Sequence, residues 1–116
     1  MSYRIAIASS NGESVNQHFG NAENFLIYEV SKEKVSFVED RPMQSSSIGA
    51  GHSDEKVVYL ADQLQDCSVV FVTKIGMKAS RYLYQHKLKS FQVNFSLNYI
   101  FTTLLRNEQS SRIKII

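Results

Sequence analysis

Residues 68–75, "SVVFVTKI", decide the fold. A nearly continuous β-branched and aromatic run has no wet face, as expected of a strand covered on both sides. Such a strand belongs inside a sheet with helices packed above and below it. Helical patterns do flank it. Before it, Val57, Leu60, Ala61 and Leu64 recur at helical spacing. That helix starts at "DEK", with Ser53 or Asp54 placed to cap it and acidic residues in its first turn. After it, Gly76 breaks the strand, and Ala79, Tyr82, Leu83 and His86 mark one face of a second helix, His86 reading as structural. "SFQVNF" (90–95) is a short last strand, and Ser96 caps a third helix carrying Leu97, Ile100, Phe101, Leu104 and Leu105.

The strand–helix–strand unit calls for a parallel pair with a right-handed crossover. The first third of the chain reads differently. "YRIAIA" (3–8) is a strand entering a core, and Asn11-Gly12 marks a turn. "NFLIYEV" (24–30) and "VSFVEDR" (35–41), joined by "SKEK", form an antiparallel hairpin with one wet face, ended by Pro42. The order β-β-β-α-β-α-β-α therefore predicts an α/β fold: a single mixed five-stranded sheet flanked by helices. No linker or repeat divides the 116 residues, so one domain over 1–116 is expected. The terminal "SRIKII" fits either a frayed tail or a short extra strand.

Composition excludes several classes. A net charge of +2 with scattered basic residues argues against a nucleic-acid surface, yet suits a small anionic ligand. Cys67 is the one cysteine, so no internal disulfide can form and a reducing cytoplasmic setting is expected. No apolar run reaches membrane-spanning length, and the start of the chain lacks a secretory pattern. There is no P-loop, GxGxxG, CxxC, HExxH or GxSxG. Enzyme activity is not indicated.

The candidate residues each carry two readings. His18, in "QHFGN" between the first two strands, has the chemistry to coordinate metal or exchange protons near neutral pH. Equally, it fits a turn in which Phe19 plugs the core and Gly20 supplies an unusual backbone angle. His52 ends the loop "MQSSSIGAGH" (43–52), where Gly49 and Gly51 allow close backbone approach and the following helix N-terminus attracts anions. A plain polar connection fits the same residues. Cys67 is either a small buried hydrophobe or a soft ligand for iron, and alone it holds no ordinary cluster.

"RIAIASSNGESVNQHFGNAENFLIYEV", "GHSDEK" and "DCSVVFVTKIG", in that order, resemble the dinitrogenase iron-molybdenum cofactor biosynthesis family, the NifX-like proteins and the C-terminal domain of NifB. The "HFG" triplet before the strand is the most specific part, and the match runs from Arg4 to about Gly76. The resemblance implies a ribonuclease H-like topology and a carrier without turnover of its own. Its cargo would be an iron–sulfur-type cluster, the iron-molybdenum cofactor or its precursor, held transiently by few exchangeable ligands. Metallocluster assembly proteins would be its partners, as a monomer or, through a free edge strand, a homodimer. Carried over by position, His18, His52 and Cys67 are the expected metal ligands. Ser9, Ser10, Asn11, Gly20 and Gly51 complete the expected cofactor site, with Lys74 beside it. The competing readings are an assembly-protein adaptor that binds no metal and a minor nucleic-acid hydrolase. The last third of the chain keeps the family pattern only loosely.

Overall fold

A computed structural model of the chain describes residues 2–43 and 53–110. Five strands are present among the described residues: β1 (Tyr3–Ile7), β2 (Asn24–Val30), β3 (Val35–Pro42), β4 (Val69–Val72) and β5 (Lys89–Gln92). Three helices alternate with the later strands: α1 (Ser53–Gln63), α2 (Met77–Gln85) and α3 (Leu97–Ser110). The sheet order is β3-β2-β1-β4-β5. β1 pairs antiparallel with β2 and parallel with β4, and β5 extends the parallel half. This is the mixed five-stranded α/β sheet that the sequence predicts.

Strand alternation builds two cores on the two faces. Ile5, Ile7, Val69 and Phe71 face Leu97, Ile100 and Leu104 of α3. Ala6, Ala8, Val70 and Val72 face the other way, against Leu60 of α1, Leu64 just after it and Leu83 of α2. All four β4 residues are buried, as a strand covered on both sides must be. Alanines at 6 and 8 keep one face of β1 shallow, leaving volume there for Phe19 and Phe25, whose rings pack at 6.1 Å.

The expected boundaries shift in three places. β4 and β5 end sooner than the apolar runs suggest, because Thr73, Lys74 and Phe95 bond to the loop after β1 instead. Pro42 is the last residue of β3, paired with Asn24, since an edge strand tolerates a missing donor. A register shift between Ile27 and Tyr28 puts a bulge in the β2–β3 pairing.

His86 does not lie on the buried side of α2. It is exposed at the helix C-cap, donating from Nδ1 to the Tyr82 carbonyl at 2.9 Å and stacking on the Tyr82 ring.

Candidate functional site

The loop after β1 carries the candidate site. Its first residues close on themselves. Asn11 Oδ1 accepts from the amides of Glu13 and Ser14, Gly12 N donates to Ser9 Oγ, and Asn16 reciprocates with Ser10. Gly12 adopts φ +73°, the left-handed angle that the Asn-Gly pair announces. The chain then runs extended across the carboxyl ends of β4 and β5. Val15 N donates to Phe95 O, Thr73 N to Gln17 O and Phe19 N to Lys74 O, the last at 2.9 Å.

His18 is held by its neighbours' main chain. Its own backbone is extended (φ −75°, ψ 149°), and its carbonyl accepts from Asn21 to close a 3-10 turn, Phe19–Asn21. Phe19 is buried as the anchor, whereas His18 is exposed. Among the described residues the imidazole makes no hydrogen bond. Gly20 is not there for an unusual angle: its φ is ordinary, and a Cβ would meet nothing within 4 Å. The turn is helical in sense and open to other residues, which corrects the expectation.

His18 and Gly20 open onto a cleft of about 880 Å³. Its walls come from the 3-10 turn, from Lys56, Val57, Val58 and Leu60 of α1, and from residues 74–79 and Tyr82 of the β4–α2 unit. The position has a topological reason. The loop after β1 crosses the ends of β5 and β4 before it returns to β2, and so sets the His18 turn over the end of β4. The chain leaving β4 passes beneath it into α2, and the space between that turn, α1 and the start of α2 is the cleft. Among the described residues, the lining contains Lys56, Lys74 and Lys78, one histidine and no carboxylate. The field in the cleft is therefore positive, and α2 begins at its rim with no acidic residue in its first turn.

The expected ligand set is only partly assembled. Lys74 stands beside His18 in an isolated parallel bridge. Gly51 and His52 lie outside the described residues. Ser9, Ser10 and Asn11 are at the same end of the sheet but do not line the cleft, their side chains being used to close their own turn. Cys67 precedes β4 at the opposite end, separated from Lys74 by extended chain on the order of 20 Å long. It is buried, its Sγ is 3.7 Å from Asp66 Oδ1, and burial first, then the Asp66 charge, push the thiol up to about 12. A neutral thiol there is a small core residue, so the expected partnership with His18 does not form. Among the described residues, no three His, Cys, Asp or Glu side chains gather as a metal cage.

Two features escaped the sequence reading. Lys56 and Lys78 join Lys74 from different elements, and only the fold reveals their convergence. At the far end of the sheet, Arg4 and Arg41 clamp Asp66, at 3.0 Å and 2.8 Å, with Glu29 and Glu39 as outer partners.

Comparison with known proteins agrees with the fold. The chain is 38% identical over 77 residues to the FeMo cofactor biosynthesis protein NifB of Azotobacter vinelandii, covering 64% of this chain and 15% of that one. Against protein NifX of Klebsiella pneumoniae it is 30% identical over 92 residues, 79% of this chain and 57% of the relative. It thus spans about half of NifX and a small part of NifB. The apo form of the orange protein from Desulfovibrio gigas shares the fold, with a TM-score of 0.63 at 16% identity over 92% of this chain and 89% of that one. Among the described residues, no helix is long and apolar enough to cross a membrane. Residues 1–97 match the family described as dinitrogenase iron-molybdenum cofactor, and the chain belongs to it.

Proposed function

We propose that this chain binds an anionic iron–sulfur-type metal cofactor, or its precursor, as transient cargo in the His18 cleft, and that it serves iron-molybdenum cofactor biosynthesis as a carrier without turnover of its own. The observation that carries this reading is the lining: among the described residues, one exposed imidazole and three lysines, with no carboxylate, around a space of about 880 Å³. Imidazole is a good ligand for iron, and ammonium groups neutralise a cluster's charge without bonding to the metal. Few ligands suit a cargo that must leave. His52 is the second proposed donor, one residue before the helix whose Lys56 lines the cleft. Assembly proteins of the same process are the proposed donors and recipients.

Anaerobic reconstitution of the purified chain with ferrous iron and sulfide tests the proposal. The wild-type chain should retain iron and visible absorption through gel filtration, and His18→Ala should lose most of both while unfolding at the same urea concentration. Equal iron retention in the two proteins, or none in either, would overturn it.

A further inference from the structure

A second surface lies apart from the cleft, along the open margin of β5. Lys89 and Val93 donate their amides to the carbonyls of Ser68 and Val72, at 3.0 Å and 2.8 Å. A parallel strand alternates its bonding side residue by residue, so the main chains of Ser90 and Gln92 point away from the sheet. Among the described residues β5 has no neighbour on that side. The margin is flanked by a depression on each face. Beside α2, Met77, Ser80, Arg81 and Tyr84, with Lys89 at the start of β5, border a groove of about 550 Å³. On the α3 face, Phe71, Phe91, Phe95 and Tyr99 border an apolar pocket of about 160 Å³. Of the six large hydrophobic side chains exposed among the described residues, four stand here: Met77 (78%), Tyr84 (67%), Tyr99 (55%) and Phe95 (43%).

We infer that β5 receives an extended segment of a partner protein as a sixth strand, with side chains alternating between carboxylates on the α2 face and apolar groups on the α3 face. An added strand places successive side chains on opposite faces, which matches one depression with a cationic rim and one that is apolar. Main-chain bonds to Ser90 and Gln92 supply affinity, and the two depressions supply specificity. Charge decides the occupant. A second copy of this chain, pairing β5 with β5, would bring two grooves rimmed by the same Arg81 and Lys89 charges to one seam, and like charges gathered at an interface are unfavourable. An acidic, apolar-alternating partner meets no such conflict. The inference goes beyond the cargo reading and stands if that reading fails.

Amide exchange and chemical shifts of the full, isotope-labelled chain test it with two synthetic peptides, one alternating glutamate and valine and one alternating lysine and valine. The glutamate peptide should slow exchange at Ser90 and Gln92 and shift residues around Phe95 and Tyr99, while the lysine peptide should not. Ser90→Pro removes an outward amide and should weaken binding about ten-fold. Arg81→Glu leaves β5 untouched and should invert the preference between the peptides, which keeps the test decisive if the proline variant misfolds. Four results would overturn the inference: no effect of either peptide at β5; shifts confined to the His18 cleft; protection of Ser90 and Gln92 that grows with protein concentration alone, marking a second copy; or protection lost on removing residues 111–116, marking the chain's own end.

Discussion

The Lys74 carbonyl receives the Phe19 amide at 2.9 Å, so His18 and Lys74 stand face to face in a parallel bridge beyond the end of β4. Backbone alone sets that relationship. Substitution of either side chain leaves the bridge in place, which makes the chemistry of the cleft separable from its architecture.

The lysines provide the first test. Replacing Lys56, Lys74 and Lys78 together by glutamine should reduce retention of an iron–sulfide cluster about ten- to a hundred-fold at low ionic strength, at about 0.5–1 kcal/mol per charge. The wild-type protein should itself lose retention as salt is raised, and the triple variant should respond less. Iron content after dialysis at two ionic strengths measures both.

Two glycines make opposite predictions. Gly12→Ala forces a side chain into φ +73° and should cost about 1 kcal/mol. Gly20→Ala has an ordinary backbone and open space, and should change stability by less than about 0.5 kcal/mol. Urea midpoints of the two variants distinguish them. Equal losses would contradict the assigned geometry of the 3-10 turn.

Asp66 predicts the acid limb of stability. Hydrogen bonds from Arg41, against partial burial and with help from Arg4, hold its carboxyl well below the ordinary value of 3.8. A depressed folded-state pKa stabilises the protein fully above that ordinary value, and the contribution is lost as pH falls through the folded one. Asp66→Asn should therefore lower stability by about 1 kcal/mol at neutral pH, a modest figure because the carboxylate is partly exposed. Its urea midpoint should also fall less steeply than the wild type's below about pH 4.

Cys67 predicts the alkaline limb. Its raised thiol pKa, about 12, leaves its contribution complete below the ordinary thiol value of 9.0 and lost as pH rises towards the folded one. At pH 8 a thiol-specific reagent should react with the native chain about a thousand-fold more slowly than with the unfolded chain, since thiolate is the reactive form. Denaturant should restore the rate. Fast native modification would remove Cys67 from the core.

The fold was legible because its periodicities are strong. The uniform apolarity of Val69–Val72 announces two covered faces, and Leu97, Ile100 and Leu104 announce the helix that covers one of them. What periodicity misses is where a strand stops. Thr73 and Lys74 look like more of β4, but their partners come from Gln17 and Phe19, more than fifty residues earlier. Of the candidate cleft, His18, Gly20 and Lys74 were legible, around the point where a polar loop meets a buried aromatic. Cys67 looked similar in one dimension, yet it falls at the other end of the same strand. Arg4, Arg41 and Asp66 are 25 to 62 residues apart, and no local pattern could have joined them.

The sheet's two margins are unequal. β3 ends in Glu39, Asp40, Arg41 and Pro42 and is kinked by its bulge, devices that keep an outermost strand from recruiting another. End-to-end growth into fibres needs two receptive borders, and one of these is guarded. A molecule so made can accept a visitor at one side and still never propagate.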